Sequence, residues 1–546
     1  MTSRSKVLLI GVDGAPFDLL TKWVAAGKLP NLGRLLMKDS ASGVLKSTLD
    51  VTPPAWSSIY TGKNAGKHGI FDFMYREPHS YSFAPTNASR RDSADLWEIL
   101  SRHSLKVGVL NAPVTFPVRP VNGFLVSGFL TPSAEANYTY PASLKEELKR
   151  EVPGFKPSSP NELQLNLNKE AYVKNIGEQL ENLRRAALYL LKKDDYDLFG
   201  VFISETDHVQ HWFWRSMVAR AEKHNGEVGK VGVEASDQFS HVILDTYVAV
   251  DRLVGELLET VDENTYVVLV SDHGGAELKR FFHTNYFLHS IGMLNFKSDF
   301  KTSLRRALYD RGITQKLYQF LIKRKIFVLH YLLKPLALSV ADIDWRRTLA
   351  YSFGYGQIYL NVLGKDKFGV IPRERAEEVT SRIVKELSRV SDPAGERAPI
   401  YAVHTKPEMY HGSHAEEAPD IQLVMLEGYE AFSWASIADG MFTDSVDRTG
   451  THNTRGVVAI KGSGVSSGPI TEASVYDVAP TILGILGVEI PSDMDGRVLN
   501  VFTPEHISAH PLKYGTSAAK SEVDQYELSE QEQQKIEENL RSLGYI

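Results

Sequence analysis

Two pairs of acid and imidazole groups dominate the chemistry this chain could perform. In SETDHVQHW, Asp207 and His211 stand four residues apart, so a helix opening at Asp207 would project both from one face, where one cation could take both. In VVLVSDHGG, the β-branched and apolar run from Tyr266 to Val270 reads as a buried strand that stops at Ser271, Asp272, His273 and two glycines. Open α/β sheets place their sites at the carboxyl ends of strands. Oxygen and nitrogen donors of this kind suit zinc, with manganese or iron as alternatives.

Three further segments add to these pairs. VLLIGVDG runs as an apolar strand into Asp13, a third acid at a strand end, and GTHNTRG places His452 in a polar loop before the strand VVAI. In LDVTPPAWSSIYTG, Thr52 precedes Pro53 and Pro54. Proline favours the first turn of a helix, so Thr52 is expected at the N-cap, where the positive end of the helix dipole favours an alkoxide and an incoming phosphoryl group. Taken singly, Asp13 is an ordinary turn acid and Thr52 an ordinary cap; their joint occurrence is what points to a site.

The order VDG, TPPAWSSIYTG, DHVQH, SDHGG and GTH resembles the alkaline phosphatase superfamily and, within it, the type I phosphodiesterase and nucleotide pyrophosphatase group of phosphohydrolases. KHGI at 67 to 70, DVAPTIL at 477 to 483 and DMDGR at 493 to 497 extend the likeness. The resemblance implies a three-layer α/β/α sandwich with a mostly parallel sheet and an inserted α/β cap subdomain. It implies two divalent metal ions, zinc first, with manganese or iron as alternatives. One would be held by Asp207, His211 and His452, the other by Asp13, Asp272, His273 and the oxygen of Thr52. Such a pair clamps the attacking and leaving oxygens of a phosphoryl transfer. Thr52 is then the nucleophile, and hydrolysis passes through a phosphothreonine. The implied partner is a small phosphate ester or diester.

One position departs from the family pattern. Nucleotide pyrophosphatases have an Asn after the nucleophile that holds a phosphoryl oxygen, and here Ala55 stands in its place. Replacement donors are the backbone N–H groups of the helix start, Lys63, Asn111 or Arg455. Trp212, with Phe213 and Trp214 beside it, is a candidate wall of the pocket. His68, His208, His283 and His289 are expected mostly at the surface or in support of the ligands.

Composition sets bounds. The 546 residues are 43% hydrophobic and carry a net charge of −6, enough for a large core and too little positive field to signal nucleic acid. With no cysteine, disulfides and thiolate zinc sites are excluded. The absence of a Ser/Cys-x-Pro-x-Arg segment argues against a sulfatase. Neither a secretory signal nor a membrane span is visible, so the cytoplasm is the expected location; a homo-oligomer is compatible with the sequence.

These residues need a scaffold, and the pattern supplies one. Strands are expected at 6 to 12, 105 to 110, 197 to 204, 265 to 270 and 457 to 460, alternating with helices near 17 to 37, 94 to 103, 169 to 193, 234 to 260 and 475 to 486. Such alternation predicts a mostly parallel sheet covered on both faces. The expected division is a core of residues 1–275 and 450–510, a cap of residues 276–449 and an acidic tail of residues 511–546 ending in a helix with Ile536, Leu540 and Leu543 on one face. The tail is expected to dock on the body or on a neighbouring subunit. Within the cap, 300 to 340 is basic and apolar and could touch a membrane surface peripherally, although a lid packing its apolar face is the simpler expectation. Three functions fit: a phosphodiesterase or pyrophosphatase; a phosphomonoesterase, phosphonate hydrolase or phosphomutase with the same metals; and a metal-containing binding protein without turnover.

Overall fold

The structure is a computed structural model describing residues 4–38, 40–157, 168–224, 237–309, 338–395, 397–433, 436–437, 440–517, 526–543 and 545. Its centre is a nine-stranded sheet. The strands run in the order Gly468–Ile470, Ala41–Lys46, Arg455–Lys461, Thr265–Val270, Lys6–Val12, Leu198–Ile203, Val107–Ala112, Gly123–Ser127 and Thr139–Tyr140. Pairing is parallel throughout except around Arg455–Lys461, which is antiparallel to both neighbours, and at the last strand.

The first strand shows why the sheet needs two covering layers. Its side chains alternate across the sheet, and both sets are apolar: Leu8, Ile10 and Val12 enter one buried cluster, Val7 and Leu9 another. The first cluster is completed by helices Pro30–Leu36, Lys169–Leu191 and Val242–Thr260, the second by Thr52–Thr61, Leu96–Arg102 and Val478–Ile485. A strand buried on both faces is the signature of a parallel sheet inside a sandwich.

Residues between the two halves of this sheet build smaller sheets of their own. A four-stranded one contains Ala350–Ser352, Gln357–Leu360, Ile421–Met425 and Ile400–Thr405. It packs with the helix Ala376–Leu387 in a third apolar cluster.

Several expectations change in detail. The helix expected at 17 to 37 is two, Phe17–Ala25 and Pro30–Leu36, because Gly27 turns the chain at φ 70° and Pro30 opens the second. The helix expected from 234 starts at Val242, and residues 225–236 lie outside those described. Of the basic stretch 300 to 340, Phe300–Tyr309 is helical and Leu338–Ser339 is a strand, while 310–337 lie outside the described residues. No helix among the described residues is long and apolar enough to cross a membrane.

Candidate active site

Three adjacent parallel strands deliver three acids to one edge of the sheet. Val12 pairs with Ile203 and Gly11 with Val270, so Asp13, the helix Glu205–His224 and the Ser271–His273 turn all leave the sheet at the same level. The hydroxyl of Thr206 donates to the Asp13 carbonyl at 2.6 Å, tying the helix start to the first strand. Gly14 has φ 64°, and a Cβ there would lie 2.6 Å from Oδ1 of Asp207. Its glycine therefore answers both the backbone turn and the approach of the acid.

The other residues arrive by direction of travel. Arg455–Lys461 runs opposite to Thr265–Val270, so the chain just before it lies at the same edge, and His452 on the short strand Gly450–Asn453 pairs with Gly275. Thr52 opens the helix Thr52–Thr61 after the strand Ala41–Lys46. The N-cap is Val51, not Thr52. Thr52 is the first helical residue, and its hydroxyl, spared from capping, lies 3.3 Å from Nε2 of His273.

All seven candidate ligands come together. Nε2 of His211 lies 3.0 Å from Oδ2 of Asp207, and Nε2 of His452 lies 3.4 Å from Oδ1 of Asp207 and 3.0 Å from Nε2 of His211. Nε2 of His273 lies 3.3 Å from Asp272 and 3.5 Å from Asp13. Ligand atoms of Asp13, Asp272 and His273 form one group within 4.8 Å, and those of Asp207, His273 and His452 a second. His273 thus stands between the two.

The three imidazoles share one arrangement. Nδ1 of His211 faces the carbonyl of Gly450 at 3.2 Å, that of His273 faces Gly274 at 3.1 Å, and that of His452 faces Asp50 at 2.6 Å. A carbonyl only accepts, so Nδ1 of His273 and of His452 carries a proton, and all three rings turn their Nε2 atoms to the common space, as metal-binding histidines do. Arg448 also points its Nε at Nδ1 of His211, 3.1 Å away. A guanidinium N–H can only donate, so Nδ1 of His211 accepts from Arg448, which turns the Nε2 side of that ring toward Asp207, and the guanidinium is further anchored by two bonds to Glu430 of 2.8 Å each.

The carboxylates are equally divided. One oxygen of Asp13 accepts from Trp56 at 3.0 Å, and one of Asp272 accepts from the Gly14 amide at 3.2 Å. The remaining oxygens, Asp13 Oδ1 and Asp272 Oδ2, are buried without a hydrogen-bond partner among the described residues. Burial first, then their mutual repulsion and that of Asp207, pushes Asp13 upward, and burial with the Asp207 charge does the same to Asp272. At Asp207 burial is outweighed by His211 and His452, which hold it well below the ordinary range. Burial lowers His211 and His273. Crowded buried acids with orphaned oxygens beside imidazole nitrogens are a fit for dications, whose charge reverses this cost.

The remaining expected residues lie less simply. Lys63 is buried but paired with Asp493 at 2.6 Å, and the exposed Arg455 pairs with Asp18 at 3.2 Å. Asn111 is buried, with φ 63°, and donates to the Phe202 carbonyl. Trp212 and Trp214 pack on the first core cluster, and Phe213 is inside it. The helix start offers few amides: Pro53 and Pro54 have none, and that of Ala55 donates to Val51. His68 and His208 are not at the surface but buried, and burial lowers them to about 3 and about 4.

Two contributors were invisible in the sequence. Trp56, which holds Asp13, lies on the helix opened by Thr52 and packs edge-on to Phe202. Tyr545 reaches the site from the tail, its hydroxyl donating to Oδ2 of Asp207. The apolar spacing of Ile536 and Leu540 signalled that this tail docks, not where it leads.

The sequence profile of the type I phosphodiesterase / nucleotide pyrophosphatase family matches residues 7–456. The chain belongs to this family. Its members are phosphoester hydrolases, and the chain is an enzyme of that broad kind. A search of curated proteins gave no match. Among solved structures, phosphonoacetate hydrolase from Sinorhizobium meliloti 1021, with phosphonoformate bound, is 14% identical with a TM-score of 0.53, covering 88% of this chain and 96% of its own. Murine ectonucleotide pyrophosphatase / phosphodiesterase 5 is 14% identical with a TM-score of 0.46, over 89% and 96%. Alkaline phosphatase PafA is 14% identical with a TM-score of 0.48, over 92% and 100%. The fold is the alkaline phosphatase-like α/β sandwich.

Proposed function

We propose that this family member is a two-metal phosphodiesterase of the nucleotide pyrophosphatase type, working through a phosphothreonine at Thr52. The observation carrying this reading is that three imidazole rings and two orphaned carboxylate oxygens converge beside a hydroxyl at a helix start. Asp207, His211 and His452 would hold one ion, and Asp13, Asp272, His273 and the Thr52 oxygen the other. When bound, the ions supply positive charge that favours ionisation of the hydroxyl and neutralises the phosphoryl and leaving oxygens.

The chain's own residues do the rest. Trp56 and the Gly14 amide fix the acids, and Arg448 and the backbone carbonyls fix the imidazole rings. Thr52 Oγ forms a bond to phosphorus as the bond from phosphorus to the leaving oxygen breaks, and that oxygen takes up a proton. Water then attacks phosphorus, the Oγ–P bond breaks, and Thr52 regains its proton. The helix dipole favours the anionic phosphoryl group even where prolines remove amides.

A second reading is favoured by enclosure. Thr52 is 1% exposed, which suits a phosphoryl group carrying no second substituent and hence a phosphomonoester or phosphonate. Assays on nitrophenyl phosphate, bis-nitrophenyl phosphate and a nitrophenyl nucleotide with Zn²⁺ or Mn²⁺ separate the two. Diester turnover abolished by Thr52→Ala supports the first reading; monoester preference supports the second. Turnover that survives Thr52→Ala would exclude a covalent phosphothreonine.

A further inference from the structure

The tail is built into the candidate site. Leu528, Ile536 and Leu540 are 7%, 1% and 0% exposed and share an apolar cluster with Val51, Phe73 and Phe129. Beyond the helix Glu530–Leu543, the Tyr545 amide donates to the Leu540 carbonyl at 2.9 Å. The Tyr545 side chain lies inward, 1% exposed. Its ring stacks on Phe73 with centroids 4.5 Å apart and meets His211 edge-on at 5.0 Å. Its hydroxyl donates to Oδ2 of Asp207, the oxygen that also faces Nε2 of His211.

We infer that Tyr545 is a positioning residue for the metal ligand Asp207, so that the docked tail sets the ion held by Asp207, His211 and His452. This rests on the two-metal reading above. The terminal torsion of an aspartate is soft, and its two oxygens are aimed only as well as their partners hold them. Outside the candidate ligands, the group holding Asp207 among the described residues is the Tyr545 hydroxyl. Hydrogen-bonded partners of metal-binding carboxylates fix ligand geometry, and their loss weakens the metal by roughly tenfold or more. The buried stripe makes the tail a constant wall of the site.

The test uses the full chain, stripped by a chelator and titrated with Zn²⁺ by calorimetry and with Co²⁺ by visible absorption, without substrate. Tyr545→Phe keeps the ring and removes the donor. The expected result is that one of two sites weakens about tenfold and its Co²⁺ band shifts, while the other site and the metal-free melting temperature stay put. Leu540→Asp, which undocks the helix, should weaken the same site; its circular dichroism checks that the body remains folded. Superimposable titrations of Tyr545→Phe and the parent overturn the inference. So does tighter metal binding in either variant, which would make the phenol a competitor of the ion, and so does a parent chain that takes up no metal. A parent that binds two ions but cleaves no phosphoester leaves this inference standing and refutes the proposed reaction instead.

Discussion

Nε2 of His211 and Nε2 of His452 lie 3.0 Å apart although 241 positions separate the residues. Two ring nitrogens this close face a common point that one proton or one cation can occupy. Replacing His452 with Ala should therefore cost one bound ion per chain and leave the other, held by Asp13, Asp272 and His273. Elemental analysis of the purified variant reads this directly, and two retained ions would refute the assignment.

Metal uptake should be linked to pH with a definite sign. Burial opposes a charge on His452, but the Asp207 carboxylate outweighs it and raises His452 above its ordinary value. The metal-free site therefore holds a proton on His452 more tightly than a free imidazole would, an ion must expel it, and affinity should fall as pH falls through that raised value. Calorimetric enthalpies of Zn²⁺ binding should change with the ionisation heat of the buffer. Identical enthalpies in all buffers would show that no proton leaves.

Bound metal should also stabilise the fold. An ion at a hundred times its dissociation constant adds about 2.7 kcal/mol per site when only the native state binds it. Thermal melts with and without chelator should separate accordingly, and coincident melts would argue against occupied sites.

How far the site was legible follows from what kind of information each residue carries. Asp13, Asp272 and His273 could be located because an apolar run that ends abruptly fixes both a strand and its carboxyl edge; His452 could because it immediately precedes such a run. Thr52 was misplaced by one position, since two following prolines mark a first turn without saying which residue starts it. The burial of His68 and His208 and the destination of Tyr545 depend on packing between segments far apart in the chain, which local periodicity does not record. The break at Gly27 was visible as a glycine but needed the second helix to repack against Asp251, which accepts from the amides of Asn31 and Leu32.

His68 supplies a stability prediction. Buried beside Arg91, with its ring contacting Ser58 at 3.1 Å, it is lowered to about 3 by burial and then by the guanidinium charge. The unfolded chain takes up a proton near the ordinary value of about 6.5, whereas the folded chain does so only near 3. Stability is therefore lost as pH falls below about 6.5, by about 2 kcal/mol at pH 5. His68→Asn should be less stable near neutrality and should lose less on acidification. Parallel denaturation curves at both pH values for the two proteins would contradict the assignment.

The Arg91–Asp95 pair supplies another. Both side chains are buried, and the guanidinium makes bonds of 2.6 and 2.7 Å to the carboxylate. Asp95 also caps the helix Leu96–Arg102. Asp95→Ala leaves a cation buried without its partner and should cost about 3–5 kcal/mol in denaturant melts, with a smaller loss for Asp95→Asn. A cost below about 1 kcal/mol would mean that water reaches Arg91.

The antiparallel strand Arg455–Lys461 has a consequence for biosynthesis. It lies between Ala41–Lys46 and Thr265–Val270, so a nascent chain that has emerged only as far as residue 449 lacks the strand that joins Ala41–Lys46 to the rest of its main sheet. Both edges of Ala41–Lys46 and one edge of Thr265–Val270 then stay unpaired until residues 455 to 470 are made, and exposed edges are where chains stick to one another. Slow elongation through residues 276 to 449 should increase the time this chain spends on holdase chaperones, and any premature stop before residue 455 should yield aggregates rather than a smaller folded domain.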